Sequence, residues 1–392
     1  MKIVMVCEFF DKDLAFQENL LLKYYRKMGH EVTIITSTYL NVFDYYSGKH
    51  DKAAPASVEY HDGGKIIRLR FRYNLLNKLK SYAGFAATLA DERPDFIFVH
   101  DITPDFPAMV AYVKAHPAVK MIMDYHADYS NSGKNWLSLR ILHGVMRGYF
   151  LKRARPHLEK ILPIVPTGFT FLNEVYGVPM SEMDLLPLGA DTDLVATVQA
   201  TNPRPAIRAQ YGIAEDAIVI ITGGKMERYK KVEVLIEAVQ RTGRSDIHVL
   251  AAGTFPPNDP DYERDIRARA EALGPQFRFV GWLDAPTMFA HMAAADMAVF
   301  PASQSVLWLQ AIASGLPLIV GDTGGQNPDY VNLHGNIIVL TGDDISGEGF
   351  GAVIADLAAH PDKRHAMAEG ARKSSAAMLD WNAIAEKTLS YA

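Results

Sequence analysis

The chain has 392 residues, of which 49% are hydrophobic, 22% charged and 10% aromatic. Its length predicts two cores of roughly 150–200 residues each rather than one. The composition is typical of globular proteins and excludes a disordered or fibrous chain. The net charge of −5 argues against general binding of nucleic acids, which requires a strongly basic face.

The charge differs between the two halves of the chain. Residues 1–190 carry 23 Lys and Arg against 20 Asp and Glu, a balance of +3, whereas residues 191–392 carry 17 against 25, a balance of −8. A basic first half favours approach to an anionic membrane. Cys7 is the single cysteine, which excludes an internal disulfide, and no cleavable apolar leader precedes the first predicted strand. We therefore expect a cytoplasmic protein.

The first half predicts buried parallel strands joined by helices. Short apolar runs alternate with segments of helical periodicity, and Gly29 is expected to cap the first helix. Parallel strands need such crossover connections. The predicted elements are a strand at 2–7, a helix at 17–28, and strands at 31–36, 96–100 and 120–126.

The second half repeats this alternation after the proline-containing stretch 201–207. No charged residue lies between Asp296 and Asp322, but the prolines and polar residues there favour strand, loop, helix and strand over a membrane span. The predicted strands are 218–224, 247–253, 277–282, 297–301 and 316–321, with helices near 231–241, 260–273, 285–294 and 306–314.

Together these patterns predict an α/β fold of two doubly wound, Rossmann-like domains that face a central cleft. The expected domains are residues 1–190 and residues 191–375, with a C-terminal helix at 376–392 that joins the first domain. Ligands of such domains bind at the carboxyl ends of the strands. We therefore expect the functional site in the cleft.

Two segments of the first domain interleave basic residues with aromatic and aliphatic ones, at 65–80 and 136–155. Each is either a surface that meets anionic lipid headgroups or an amphipathic element with a solvated basic face, and the pattern leaves both open. In the second segment the expected apolar helix face is Trp136, Leu139, Leu142, Val145, Met146 and Phe150, flanked by Arg140, Arg147, Lys152, Arg153 and Arg155.

The segment GGKMERYKK at 223–231 is the most specific chemical motif. Two glycines end a predicted strand and let the backbone approach a ligand, and Lys225 and Lys230 bracket a tight loop before a helix. Two lysines and a helix N-terminus suit a diphosphate, because the charge of a departing nucleotide must be neutralised as the bond breaks. No Walker phosphate loop, HExxH or GxSxG motif occurs.

This loop, with the helix reading VEVLIEAV (232–239), resembles the donor-phosphate loop of the retaining GT-B glycosyltransferases of the glycogen-synthase-like group (family 4-like, group 1). Other segments resemble that family in the same order, so the likeness covers nearly the whole chain. They are MGHEVTIIT (28–36), EVYGVPMSEMDLLPLGADTDL (174–194), FRFVGWLD (277–284), AAADMAVFPAS (293–303) and AIASGLPLIVGDTGG (311–325).

The resemblance implies roles for individual residues. Lys225 and Lys230 would hold the donor diphosphate, although the family usually has arginine at the first position, so Lys225 keeps the charge but loses the forked geometry. His126 would lie against the donor sugar; without the resemblance, a histidine after an apolar strand is more often a hydrogen-bonded loop residue. The donor-binding candidates are Gly224, Gly253, Trp282, Gln304, Ser305 and Gln310.

Two segments depart from the family. The family commonly carries two glutamates seven residues apart, the first facing the donor sugar and the second the ribose. Gln310 stands at the second position, and residues 301–310 contain no acidic residue, so Gln304 or Ser305 would have to contact the sugar.

The family's paired glycines in the first loop are also missing, since residues 11–19 contain no glycine. Gln17, Glu18 and Asn19 are the acceptor-side candidates that would order sugar hydroxyls. The alternative is that they only cap the helix.

The resulting hypothesis is a retaining glycosyltransferase that moves a sugar from a nucleotide diphosphate sugar, with UDP favoured over GDP, to a hydroxyl of a glycan or lipid-linked saccharide precursor. We expect no metal, no other cofactor and no nucleic-acid partner, and peripheral contact with an anionic membrane surface is compatible with the basic segments. Two alternatives stay open: a nucleotide-sugar epimerase or phosphorylase on the same fold, and a catalytically silent binding subunit that has lost both glutamates.

Overall fold

The computed structural model describes residues 1–46, 54–133, 135–302, 304–325 and 327–392. Ser303, in the expected donor segment 301–310, therefore lies outside the described residues. The chain divides into two compact units, of which unit 1 is Met1–Pro187 with Trp381–Ala392 and unit 2 is Leu188–Asp380.

The described strands of unit 1 are β1 (Lys2–Val6), β2 (Glu31–Ser37), β3 (Ser57–His61), β4 (Gly64–Leu69), β5 (Phe71–Leu75), β6 (Leu79–Tyr82), β7 (Phe96–His100), β8 (Lys120–Tyr125) and β9 (Lys160–Pro163). Most of them carry buried, mainly apolar residues, whereas β3 and β5 are largely exposed. Seven of them form one sheet in the order β3-β4-β2-β1-β7-β8-β9, and β5 and β6 form a separate antiparallel hairpin. Within the sheet only β3 runs antiparallel to its neighbour.

Unit 2 contains a parallel sheet of six described strands. They are β10 (Ile218–Lys225), β11 (Ile247–Thr254), β12 (Phe277–Gly281), β13 (Met297–Phe300), β14 (Leu318–Asp322) and β15 (Ile337–Thr341), in the order β12-β11-β10-β13-β14-β15. Each of the two large sheets is covered by helices, and buried hydrophobic clusters surround it.

Most of the described α-helices connect consecutive strands, and the last three follow β15. The described α-helices are α1 (Gln17–Lys27), α2 (Val42–Tyr46), α3 (Phe85–Glu92), α4 (Phe106–Ala115), α5 (Gly148–Ala154), α6 (Pro166–Tyr176), α7 (Thr192–Ala200), α8 (Arg204–Gln210), α9 (Val232–Thr242), α10 (Pro260–Glu271), α11 (Ala285–Ala294), α12 (Val306–Ala313), α13 (Gly347–Ala359), α14 (Pro361–Met378) and α15 (Trp381–Leu389). A π-helix over Ser138–Arg147 continues directly into α5.

This architecture confirms the predicted α/β fold with two doubly wound, Rossmann-like domains. The uncharged stretch between Asp296 and Asp322 folds as β13, α12 and β14, as expected. In place of the single C-terminal helix expected at 376–392, the structure has two helices. The first, α14, ends in unit 2, and the second, α15, packs in unit 1. In the described part of the chain, no helix has the length and apolar character needed to cross a membrane.

The expected apolar face of 136–155 is partly wrong. Leu139 and Phe150 pack against the core of unit 1, and Arg147 turns toward Asp101, with 3.4 Å between Arg147 Nη1 and Asp101 Oδ2. A π-helix has more residues per turn than an α-helix, which changes the residues that share a face. The exposed apolar residues form a different stripe, the helix stripe, which consists of Trp136, Leu137, Ile141, Val145 and Tyr149.

The other basic segment, 65–80, folds as β4 and most of the hairpin. Arg68 is buried and donates to the carboxylate of Glu59, so it is not part of a solvated face. The tip of the hairpin exposes Leu75 and Leu76, and Leu76 and Asn77 adopt the left-handed conformation, with φ of 52° and 58°.

Candidate active site

A pocket in unit 2 lies at the carboxyl end of β10, where the sequence predicts diphosphate binding. Lys225 ends the strand, a 3-10 turn over Arg228–Lys230 follows, and Val232 begins α9. The N-cap of α9 makes no side-chain hydrogen bond to the helix, so no side chain competes with an anion for the amide groups of its first turn. The pocket is lined by Thr222, Gly223, Lys225, Met226, Lys230, Val232, Leu235, Phe300, Pro301 and Ala302.

Two glycines at this end of the sheet, Gly253 and Gly224, differ in the reason why a glycine stands there. Gly253 lies opposite Gly224 in the β10–β11 register, and a Cβ on Gly253 would lie 1.9 Å from the Gly224 carbonyl oxygen. Gly253 is therefore required by strand packing. Gly224 has a φ of 107°, and its Cβ position is open, with Ser305 Oγ 3.9 Å away. At Gly224, unlike Gly253, the missing side chain leaves free space.

The two lysines differ in environment. Lys225 is exposed, whereas Lys230 is half-buried and its Nζ donates to the carbonyl oxygen of Gln304 at 3.3 Å. Burial lowers the pKa of Lys230, and the nearby carboxylate of Glu227 opposes this shift. A partly desolvated ammonium interacts more strongly with an anion than one in water does, so Lys230 is the better placed of the two.

The remaining donor-binding candidates lie just after β12 or just before and within α12. Ser305 caps α12, and its Oγ accepts a hydrogen bond from the Leu307 amide at 3.3 Å. The Gln304 side chain donates to the Tyr330 hydroxyl at 3.2 Å. Gln310 is half-buried on α12. Trp282 directly follows β12 and is 65% exposed, and it is not among the residues that line the pocket.

His126 lies in unit 1, immediately after β8, and belongs to a cluster with His100 and Asp124. Asp124 Oδ2 accepts hydrogen bonds from His100 Nδ1 at 2.9 Å and from His126 Nε2 at 3.2 Å. The two imidazole ring centroids are 4.2 Å apart. Both rings are thereby held on one buried carboxylate at the carboxyl edge of the sheet.

The charges of this cluster stabilise one another. Burial alone would lower the pKa of His100, but Asp124 outweighs it and raises the pKa to about 9. Burial alone would raise the pKa of Asp124, and His100 followed by His126 holds it well below its usual range. Asp124 is therefore ionised and His100 protonated at neutral pH.

The same three residues offer ligand atoms within 4.8 Å of one another, a spacing that would also suit a metal ion. Hydrogen bonds between the imidazoles and the carboxylate account for this spacing without an ion, since both contacts have ordinary hydrogen-bond lengths. That the enzyme needs no metal for its reaction stays a prediction.

The acceptor-side candidates Gln17, Glu18 and Asn19 are all buried at the start of α1. The N-cap of this helix is Phe16, and no side chain caps it, which disfavours the capping alternative. Neither amide atom of the Gln17 side chain has a hydrogen-bond partner within the described ranges, and the same holds for Asn19 Oδ1. Burial raises the pKa of Glu18, and His100 and His126 partly oppose this. Unpaired buried polar atoms mark a place where a polar ligand would be stabilised.

Sequence reasoning missed His100 and Asp124. The signal was a polar residue within or at the end of an apolar strand, in FIFVH and KMIMDY. The parallel register of β7 and β8 places His100 directly beside Asp124. That neighbour relation depends on strand order, which the linear sequence did not provide.

Two models of known protein families match the chain, one in each unit. The model described as "Glycosyl transferases group 1" matches residues 217–360, and the "Glycosyl transferase 4-like domain" matches residues 19–158. The chain belongs to the group 1 glycosyltransferases. This confirms the family resemblance and makes the protein an enzyme that transfers a sugar from a nucleotide sugar. The unit 2 pocket around Lys225 and Lys230 and the unit 1 residue His126 lie inside the matched ranges.

Individual relatives of this glycosyltransferase are distant. The glycogen synthase of Mycobacterium tuberculosis is 24% identical over 306 residues, which cover 76% of this chain and 68% of that protein. The phosphatidyl-myo-inositol mannosyltransferase of Mycolicibacterium smegmatis is 24% identical over 334 residues, covering 82% and 76%. The crystal structure of Anabaena HepE in complex with UDP and glucose superposes with a TM-score of 0.65 at 15% identity, covering 100% of this chain and 98% of that one.

Proposed function

We propose that this enzyme is a retaining glycosyltransferase that uses a nucleotide diphosphate sugar, with UDP favoured over GDP, to glycosylate a hydroxyl of a glycan or lipid-linked saccharide precursor. The observation that carries the proposal is the unit 2 pocket, where Lys225, Lys230 and the open N-terminus of α9 offer positive charge to a diphosphate. UDP is favoured because the structurally similar HepE binds UDP.

Electrostatic stabilisation of the leaving diphosphate would supply most of the catalysis. Negative charge grows on the diphosphate as its bond to the sugar breaks, and preorganised cations stabilise that charge in the transition state. The acceptor hydroxyl would attack from the face that the diphosphate leaves and pass its proton to the departing diphosphate oxygen, which retains the configuration of the sugar. His126 would contact the donor sugar, and Asp124 would fix the orientation of its ring. No metal is needed for these steps.

A donor screen tests this proposal. Purified protein is heated with UDP, GDP, ADP and their sugars, and a bound ligand raises the unfolding midpoint because it stabilises the native state. We expect the largest shift with UDP. A nuclear magnetic resonance assay with the selected sugar then distinguishes transfer with retention from inversion. An altered sugar or free UDP formed without an acceptor would instead support an epimerase.

Gln310 is proposed to bind the ribose of the donor. Because a ribose contact exists in both ground and transition states, Gln310→Ala should raise the Michaelis constant for the donor more than it lowers turnover. Steady-state kinetics at varied donor concentration measures both constants. Gln199→Ala, on α7 of the same unit, is the control. A fall in turnover alone would place Gln310 at the reacting sugar instead.

We also propose that unit 1 attaches the enzyme to the inner face of a membrane through the helix stripe. Trp136 and Val145 are 69% and 65% exposed, and exposed apolar residues of this size beside basic ones are typical of interfacial helices. Arg140, Lys152 and Arg153 are exposed on the same helical segment, where each would contribute on the order of 1 kcal/mol near an anionic surface.

Co-sedimentation with liposomes tests the attachment. Binding to anionic liposomes should exceed binding to neutral ones, fall as salt rises, and disappear when Arg140, Lys152 and Arg153 are all changed to Glu. Arg147 is left intact, because it is paired with Asp101. The control reverses three exposed charges of α14 in unit 2, at Lys363, Arg372 and Lys373. Equal loss in both triple variants, or no binding at low salt, would rule out the helix stripe as the attachment site.

A further inference from the structure

A second pocket, the Lys80 pocket, lies in unit 1 at the carboxyl ends of the neighbouring strands β1 and β7. Its lining comes from the end of β1, the hairpin, the loop after β7 and the last residue of the π-helix. The residues are Val6, Cys7, Glu8, Lys78, Lys80, Tyr82, His100, Asp101, Ile102, Thr103, Pro104 and Arg147.

The side chains that line this pocket include more basic groups than acidic ones. Among the described residues that line it, the basic side chains of Lys78, Lys80 and Arg147 outnumber the two carboxylates of Glu8 and Asp101. The fourth basic group, His100, has its own counter-ion in Asp124.

Lys80 is held in a fixed position inside the protein. Its side chain is 5% exposed, and its ammonium lies over three aromatic rings, 5.3 Å from the centroid of Phe9, 4.7 Å from that of Tyr45 and 5.2 Å from that of Tyr46. It forms an ion pair with Glu8. Burial, followed by the positive charge of Arg147, lowers the pKa of Lys80 to about 7. A further anion in the pocket would therefore stabilise the charged form of Lys80.

The hydrogen-bond donors of Arg147 are not all paired among the described residues. Its side chain is 16% exposed and forms a long contact with Asp101 at 3.4 Å, while its buried Nε has no hydrogen-bond partner in the part of the chain described here. Arginine offers several donors in a planar array that matches the oxygens of phosphate and carboxylate groups. An oxyanion in the pocket would use this free donor.

We propose that the Lys80 pocket binds the acidic group of the acceptor, a phosphate or a carboxylate, through Lys78, Lys80 and Arg147. The inference rests on the proposed function, and it adds the chemical class of the acceptor. His100 lines the pocket, and its ring lies 4.2 Å from that of His126, which the proposed function assigns to the donor sugar. The acidic group would therefore sit beside the hydroxyl that receives the sugar.

Two residues of this pocket lie next to exposed apolar residues. Lys78 follows the hairpin tip, where Leu76 is 84% exposed, and Arg147 ends the π-helix that bears part of the helix stripe. An acidic group bound between them can come from a lipid headgroup or from a soluble phosphorylated saccharide.

The test uses inorganic phosphate as the probe and keeps the donor pocket filled. Full-length protein is first saturated with UDP, so that Lys225 and Lys230 are occupied, and phosphate binding to this complex is then measured by isothermal titration calorimetry. We expect binding to the wild-type complex and at least about a tenfold loss of affinity in Lys78→Gln and in Lys80→Gln, since each removes a charge-assisted contact. Lys120→Gln, an exposed lysine paired with Glu159, should bind phosphate like the wild type.

The two proposals fail in different ways. Normal UDP binding with no phosphate binding, or with equal affinity in all variants, overturns the pocket assignment and leaves the donor site intact. Absence of UDP binding contradicts the proposed function itself. Lys78 is exposed, so Lys78→Gln keeps the test valid if Lys80→Gln does not fold.

Competition identifies the source of the acidic group. Vesicles of phosphatidylglycerol that displace phosphate from the wild-type complex, where phosphatidylcholine vesicles do not, support a lipid headgroup in the pocket. Phosphate that stays bound in the presence of both vesicles supports a soluble phosphorylated acceptor in the same pocket.

Discussion

Replacing Lys230 by alanine is expected to lower sugar transfer by two or more orders of magnitude and to weaken nucleotide binding. Its ammonium is half-buried at the donor pocket and is fixed by the Gln304 carbonyl oxygen at 3.3 Å. Loss of one preorganised donor to a developing charge typically costs about 10²–10³ in turnover. Lys225→Ala should act in the same direction, because it removes the second cation at the same strand end.

Two further variants separate charge from folding. Lys230→Arg keeps the positive charge and should retain more activity than Lys230→Ala. Lys373→Ala removes an exposed lysine of α14 in the same unit and should leave the kinetics unchanged. Steady-state rates and UDP affinity are measured for all four proteins. Wild-type kinetics in both Lys225→Ala and Lys230→Ala would remove the diphosphate assignment.

Asp124→Asn is expected to destabilise unit 1 by roughly 3 kcal/mol near pH 6, because it leaves the protonated His100 without its counter-ion in a buried site. The pKa of His100 is about 9 in the folded protein and about 6.5 in an unfolded chain. A raised folded pKa gives a stabilisation that is complete below about pH 6.5 and is lost as the pH rises through about 9. The pKa of Asp124 is lowered in the folded protein, so its contribution is lost in acid.

Hydrogen exchange at pH 6 and pH 9.5, read from peptides of β7 and β8, measures the stability of unit 1 alone. The difference between wild type and Asp124→Asn should shrink at the higher pH. Asp128→Asn is the matched control, since Asp128 is buried in the same unit but bonds to the neutral groups of Ser130 and Thr167. Its effect should be the same at both pH values. A pH-independent loss in Asp124→Asn would contradict the charged pair.

The strands and helices of both units could be predicted because buried parallel strands and amphipathic helices leave strong periodic patterns. The hairpin of β5 and β6 was not predicted, since its residues mix basic, polar and apolar types: β5 is mostly exposed, and the buried strand β6 contains Lys80 and Ser81. The 136–155 segment was recognised as a helix, but its exposed face was misassigned. A π-helix has no sequence pattern of its own, and the inward turn of Arg147 depends on Asp101 from a distant loop.

The residues of the candidate site also differ in whether the sequence could predict them. Lys225 and Lys230 could be found because a glycine-ended strand, a loop and a helix start are local in sequence. The cluster of His100, Asp124 and His126 and the Lys80 pocket could not, because their members come from different strands and loops. The order of β7 and β8 in the sheet brings the cluster together, and the hairpin and the π-helix complete the Lys80 pocket beside β1.

The return of the chain to unit 1 sets the order in which the protein can fold during its synthesis. Trp381 and Ile384 of α15 are buried in the core that covers β1 and β2, and Thr388 and the Tyr25 hydroxyl share a hydrogen bond of 2.5 Å. Unit 2 is continuous in sequence, so it has all of its residues before Trp381 is made. Unit 1 lacks one of its core helices until α15 has left the ribosome. Although domains made first usually fold first, unit 1 completes its packing only after the last residue of unit 2 has been made.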